Sequence, residues 1–163
     1  MDDLATVREE YLALRDGTDG ALLATLEGDQ IPAASYAPLV WVDGRSYLFL
    51  SDLAAHTQNL KRCAAISLML IEEPGDRGNA FARQRITLKG DAQIVERNDP
   101  SYARVLVEFH RRFGDVVSLL ESLPDFHLFA LHLDTGRYIR GFGQAFELSG
   151  DQLDQLTHIH PGK

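Results

Sequence analysis

A polar segment between two apolar runs contains the first group of side chains that could bind a ligand. The runs are residues 47–50 and 65–71, both short and rich in the aliphatic and aromatic residues typical of buried strands. The segment between them offers hydroxyl, imidazole and amide groups and one apolar side chain, at Ser51, His56, Thr57, Asn59 and Leu60. A strand, a turn, a short helix and a second strand in this order collect hydrogen-bond donors at the end of a sheet. A phosphate, a carboxylate or the edge of a heterocycle fits such a place.

Basic side chains follow on an alternating stretch. Residues 83–90 have the period of a strand, which places on one face Arg83, Arg85, Thr87 and Lys89. Such a face is most often simply exposed to solvent. Because arginine makes charge-assisted, bidentate bonds to oxyanions, the polar segment and this strand together also suit an anionic cofactor.

The composition narrows the class of partner. The chain of 163 residues carries 24 acidic against 16 basic residues, a formal charge of −8. This balance disfavours nucleic acids and anionic membranes, so we expect a small-molecule ligand. One cysteine, acidic residues 2 and 3, and no apolar run of about 18 residues predict a cytoplasmic protein without membrane insertion.

The motifs of several enzyme classes are missing from the sequence. It contains no nucleophile elbow, no Walker or dinucleotide-binding glycine pattern and no thiolate cluster for zinc. The acidic residues are scattered, which gives no support to a hydrolase built on paired carboxylates. We therefore assign no catalytic residue.

The elements that must position these groups are mostly strands. We expect one domain over 1–163, with an opening helix at 2–15, barrel strands at about 21–97 and 126–149, a helical insertion at 99–123 and a C-terminal tail at 150–163. Turn residues at 74–79 predict a mobile loop. Ser149 and Gln152 form a capping-box pattern that predicts a short terminal helix in the tail. The fold class is mainly β (α+β), an antiparallel barrel with peripheral helices.

Five motifs in order carry a family resemblance: SDLAAHTQNLKR, SLMLIEE, NAFARQRITLKGDA, DFHLF and GRYIRGFGQAF. Over residues 21–146 the chain resembles the pyridoxamine 5′-phosphate oxidase-related FMN-binding split β-barrels, and within them the heme-utilisation (HugZ/HutZ-like) branch. The resemblance implies a six-stranded antiparallel split barrel. It also implies a homodimer with FMN or heme at the subunit interface.

The resemblance also assigns roles to residues. It implies cofactor contacts at Ser51, His56, Thr57, Asn59 and Leu60, with Arg83 and Arg85 as basic partners. A C-terminal histidine, His158 or His160, would be the axial ligand of heme iron, and Asp125 would tune it by a hydrogen bond. The choice between the two histidines stays open, since residues two apart share a face in an extended tail.

Three hypotheses follow. The first is a heme-binding protein of iron acquisition that supports oxidative heme degradation. The second is an FMN-dependent oxidoreductase similar to pyridoxamine 5′-phosphate oxidase. The third is a cofactor-free homodimeric binding protein.

Overall fold

The computed structural model describes residues 3–73 and 79–160, which form eight strands and four helices. The helices are α1 (Leu4–Gly17), α2 (Ala55–Arg62), α3 (Pro100–Phe113) and α4 (Val116–Ser122). The strands are β1 (Gly20–Glu27), β2 (Ile31–Val42), β3 (Arg45–Ser51), β4 (Ala65–Ile71), β5 (Arg85–Val95), β6 (Phe126–Gly141), β7 (Gln144–Ser149) and β8 (Gln155–His158). A single 3-10 turn, Ala80–Ala82, precedes β5. The predicted loop at 74–79 lies, except for Asn79, outside the described residues.

Six antiparallel strands close into a barrel. Their order is β3-β2-β1-β4-β5-β6, and pairing of β3 with β6 closes the ring, while β7 and β8 extend the sheet beyond β6. The prediction of a mainly β, six-stranded split barrel is therefore confirmed. Pro32 and Pro38 lie in the part of β2 that pairs with β1 alone. The other edge of β2 has no partner strand there among the described residues, so proline, which lacks an N–H, is tolerated.

The barrel interior is filled by apolar side chains that alternate along the strands. Leu23, Leu68 and Leu88 belong to this core, and the helix α1 adds Val7 and Tyr11 to it. Asp3 caps α1 by accepting a hydrogen bond from the Ala5 amide. The barrel is thus a packed core, so a large ligand must bind elsewhere on the molecule.

A second apolar cluster lies under the predicted helical insertion. α3 and α4 cover side chains of β2, β3 and β6, among them Val40, Tyr47 and Leu128. α3 begins as its sequence predicts, with Asp99 accepting from the Ser101 amide and Pro100 in the first turn. No helix within the described ranges is long and apolar enough to cross a membrane.

The C-terminal tail differs from the prediction. In place of a short helix, residues 155–158 form β8, which pairs with β7. Gly150 and Leu153 have positive φ angles, which a helix does not allow, and Leu153 is buried in the barrel core. Burial of Leu153 therefore outweighs the local capping pattern of Ser149 and Gln152.

Candidate functional site

The end of β3 is tied to the start of β6. Ser51 Oγ donates a 2.7 Å hydrogen bond to Asp125 Oδ2 and accepts one of 3.1 Å from the Leu53 amide. The Asp52 amide donates to the Asp125 carbonyl at 2.8 Å. Asp125 therefore has its carboxylate and carbonyl engaged with the turn, and the turn is held in one conformation.

The helix after this turn buries three of the predicted contact residues. Thr57 is 0% exposed, Asn59 3% and Leu60 4%. The Asn59 side chain donates to Thr25 Oγ1 at 3.0 Å, while Thr57 Oγ1 has no partner among the described residues. Their side chains face the barrel, so any contact of these residues with a ligand falls to the backbone.

The N-terminus of α2 is left without a side-chain cap. Its N-cap residue is Ala54, while Ser51 Oγ accepts from Leu53 and the Asp52 carboxylate accepts from Gln58 and Lys61. Uncapped amide groups at a helix start attract anions. This end of α2 is therefore chemically suited to a phosphate or carboxylate.

His56 is half-buried and faces β2. Its Nδ1 lies 3.0 Å from Ser35 Oγ. Desolvation by burial lowers the pKa of His56 below its ordinary value, because the charged imidazolium loses water. Burial thus favours the neutral form of His56, and Ser35 provides a hydrogen-bond partner for its Nδ1.

A charged cluster missing from the sequence prediction lies on the other side of the turn. The Asp52 carboxylate accepts hydrogen bonds from Lys61 Nζ and, at 3.3 Å, from Gln58 Nε2. It also lies 2.9 Å from His127 Nε2. The hydrogen bonds from Lys61 and then His127 lower the pKa of Asp52. The position of Lys61 on α2, close to Asp52 in sequence, could have indicated their contact. The contact with His127 could not be predicted in this way, because His127 lies 75 residues from Asp52.

The exposed face of β1, β2, β4, β5 and β6 forms what we call the outer wall. Leu22 lies opposite Tyr36 on one side and opposite Met69 on the other. Met69 lies opposite Thr87, and Thr87 opposite Arg137. Leu22 is 46% exposed and Tyr36 60%. The outer wall thus has an apolar part, defined by Leu22, Tyr36 and Met69.

The outer wall continues into a cationic part, defined by Arg85, Lys89 and Arg137. Arg85 and Lys89 share a face of β5 with Thr87, as the alternation predicts. Within residues 3–73 and 79–160 none of the three is paired with a carboxylate. A cleft of about 350 Å³ opens here, with Lys89, Arg137 and the acidic Glu147 in its lining, and one of about 430 Å³ adjoins the apolar part.

Arg83 lies just before β5, and its side chain is held by one backbone carbonyl. Its Nε donates to the Glu72 carbonyl at 2.7 Å, and Arg85 donates to the Arg83 carbonyl at 3.1 Å. Both guanidinium groups are half-buried. Neither is paired with a carboxylate of the described part of the chain.

The polar turn and the arginines are not brought together within one chain. Ser51 pairs with Phe126 at the first position of β6, whereas Arg85 pairs with Ile139, thirteen residues further along the same strand. Asp125 and His158 are separated in the same way, since His158 pairs with Phe146 and Phe146 with Tyr138. A site that uses both ends needs a second copy of the chain.

The two C-terminal histidines are in contact. His158 Nδ1 lies 3.2 Å from His160 Nδ1, with ring centroids 4.4 Å apart. The edge of the His158 ring packs against Phe146 at 5.0 Å. His158 is half-buried and His160 exposed, so the pair presents imidazole nitrogen at the surface.

The six-stranded split β-barrel, closed by pairing of β3 with β6, is the feature that defines the class of this protein. Residues 7–140 match the pyridoxamine 5′-phosphate oxidase family, and the chain belongs to that family.

The proteins similar to this chain include two heme oxygenases. Heme oxygenase HutZ of Vibrio cholerae is 36% identical over 140 residues, which is 86% of this chain and 80% of HutZ. The HutZ crystal structure, described as that of a heme storage protein, has a TM-score of 0.71 at 32% identity, covering 76% of this chain and 87% of that one. The non-canonical heme oxygenase HOZ of Arabidopsis thaliana chloroplasts is 32% identical over 88% of this chain and 43% of its own length. Campylobacter jejuni ChuZ has a TM-score of 0.87 at 25% identity, covering all of this chain and 68% of ChuZ.

Several outer-wall residues were not among the predicted contacts. Leu22, Tyr36 and Met69 lie on three strands, and Arg137 on a fourth. The alternation of side chains along each strand could have shown which face of its own strand each residue occupies. Only the pairing register brings them side by side.

Proposed function

We propose that this protein binds heme and supports its oxidative degradation in iron acquisition, in the cytoplasm. The observation that carries the proposal is the outer wall, where unpaired cations adjoin an exposed apolar surface. Heme needs both, because its macrocycle is apolar and its two propionates are anionic. The similarity to HutZ over most of both chains supports the same ligand class.

The residues present fit the group chemically. Arg85, Lys89 and Arg137 form no ion pair within the described chain, although Glu147 lies opposite Arg137, and arginine binds carboxylates bidentately. We propose the His158–His160 pair of a second copy as the source of the iron ligand, because pairing through Phe146 to Tyr138 places His158 on the sheet face opposite to Arg137. In the pair one Nδ1–H donates to the other Nδ1, which leaves the donor ring's Nε2 as a free lone pair.

The neighbouring imidazole then acts as the hydrogen-bond acceptor that makes a ligating histidine more basic. This is the role that the family resemblance implied for Asp125. Because Asp125 binds Ser51 in this chain and lies at the other end of β6, a role for it requires a second copy. When bound, heme itself supplies the oxygen chemistry, and the protein supplies the ligand, the anchors and an apolar surface.

We further propose that a second copy covers the apolar part of the outer wall, so that heme lies at the edge of this interface, next to the cationic part. Leu22 and Tyr36 are large apolar side chains exposed side by side. An apolar patch of this kind marks an interaction surface. Because the polar turn and the arginines lie apart within one chain, a homodimer is also the arrangement in which Ser51, His56, Thr57, Asn59, Leu60, Arg83 and Arg85 can all serve one interfacial site.

Hemin titration of the purified protein tests the proposal. We expect a Soret band that saturates at one hemin per chain and shifts or is lost when His158 and His160 are both changed to alanine. The control is the double variant H110A/H132A, which removes two histidines outside the pair and should titrate as wild type. Absence of hemin binding at micromolar concentration would reject the function. An unaltered spectrum in H158A/H160A would reject the ligands.

FMN is a second candidate cofactor. The family match and the uncapped start of α2 favour it, since a flavin phosphate suits such a helix end. Protein isolated yellow, with flavin absorbance that dialysis against phosphate removes, would support an FMN-dependent oxidoreductase. If neither FMN nor hemin binds, a cofactor-free binding protein remains.

A further inference from the structure

The backbone that carries His158 and His160 is fixed up to the first histidine and again between the two. β8 pairs with β7, with Phe146 opposite His158. The Ile159 amide, between the two histidines, donates a 2.8 Å hydrogen bond to the Ala145 carbonyl. The His158 ring is also packed against Phe146. The two imidazoles are therefore held together before any ligand arrives, which reduces the entropy lost on binding.

We propose that, in the absence of heme, His158 and His160 chelate a divalent transition-metal ion through their two Nδ1 atoms. Zinc binds histidine nitrogen at about 2.0–2.1 Å. With the nitrogens 3.2 Å apart, an ion at that distance from both has an N–metal–N angle of about 103°. This lies between octahedral and tetrahedral geometry, so the spacing of the two nitrogens suits a single ion.

The chemistry of the pair selects the class of ion. Imidazole suits zinc, copper and nickel, and copper(II) is expected to bind most tightly. Within residues 3–73 and 79–160 no group of three or more His, Cys, Asp or Glu is placed to hold a metal. Water therefore completes the coordination, and both rings are needed. In the metal-free pair one Nδ1 carries a proton, which moves to that ring's Nε2 when the ion binds, with no net loss of protons.

Isothermal titration of chelator-treated, hemin-free protein with Zn²⁺ and with Cu²⁺ tests the chelate. We expect one ion per chain, with Cu²⁺ tighter than Zn²⁺, and at least about a tenfold loss of affinity in H158A and in H160A alike. H132A, which removes an exposed histidine from another strand, is the matched control and should bind as wild type. Circular dichroism checks that each variant is folded.

Two results would overturn the chelate: no binding at millimolar metal, or wild-type affinity in either single variant. The latter would indicate a single ligand or another site. Because these titrations contain no hemin, their result is independent of the Soret titration. A chain that binds metal but not hemin refutes only the proposed function, and one that binds hemin but not metal refutes only the chelate.

Discussion

The Asn59 side chain on α2 and the Thr25 hydroxyl on β1 are joined by a hydrogen bond of 3.0 Å in the interior of the chain. Both residues are almost completely buried. The amide oxygen of Asn59 in turn accepts from Arg62 at 3.0 Å. The polar segment that carries the predicted cofactor contacts is thus fastened to the barrel wall by a satisfied buried group.

Changing Asn59 to alanine should lower the free energy of unfolding by about 1–3 kcal/mol, because Thr25 Oγ1 and the Arg62 guanidinium lose their partner. Urea unfolding followed by circular dichroism measures the change. Asn98→Ala, at an exposed turn position, is the matched control and should stay within about 0.5 kcal/mol of wild type. Equal losses of unfolding free energy in the two variants would show that the buried hydrogen bond makes no measurable contribution to stability.

The stability of the protein should fall between neutral and mildly acid pH in a way that depends on His56. Burial lowers the pKa of His56, so the unfolded chain takes up a proton at about pH 6.5 while the native state resists it. The contribution of His56 is therefore complete above the unfolded pKa and is lost as the pH falls through the lower, folded pKa.

Urea unfolding of wild type and His56→Gln from pH 7.5 to pH 5 measures this dependence. Glutamine does not titrate, so the variant should lose less stability on acidification than wild type does. His132→Gln, which removes an exposed histidine, is the control. Parallel pH profiles for wild type and His56→Gln would contradict the prediction.

Gly90 should tolerate no side chain. It lies at the register shift between β5 and β6, and a Cβ there would stand 1.9 Å from the His132 carbonyl oxygen, a backbone atom that cannot simply turn away. Gly90→Ala should therefore destabilise the protein by roughly 1–3 kcal/mol or prevent folding.

Gly17→Ala provides the contrast to this substitution. Gly17 ends α1, and a Cβ there meets nothing within 4 Å. Thermal unfolding should show Gly17→Ala at wild-type stability or up to about 1 kcal/mol above it, since alanine favours helices. A Gly90→Ala variant as stable as Gly17→Ala would mean that the bulge can relax.

A charge at Leu22 should break the proposed dimer. Leu22→Glu puts a carboxylate in the centre of the apolar part of the outer wall, where a second copy would have to desolvate it. Sedimentation equilibrium should show a dimer for wild type and at least about a tenfold weaker association for the variant. Val107→Glu, an exposed apolar position on α3, is the control and should remain dimeric. A monomeric wild type, or a fully dimeric Leu22→Glu, would contradict the interface.

Much of the fold follows from local signals. Alternation along residues 85–89 correctly separates the buried Ile86 and Leu88 from the basic face, because side chains of a strand point to opposite sides in turn. Asp99 begins α3 as its sequence predicts, since an Asx cap before proline satisfies the first free amides. These features depend only on neighbours in the chain.

The remaining features of the fold and of the site depend on the register in which distant strands pair. The sequence alone determined that Arg85 and Lys89 share a face and that His158 and His160 lie two residues apart. Only the tertiary structure placed Leu22 beside Met69, 47 residues away, and Arg137 beside Thr87, because strand pairing is set by how the whole core packs. The same packing turned the tail into β8, since burying Leu153 in the core stabilises the chain more than a capped helical turn in water would.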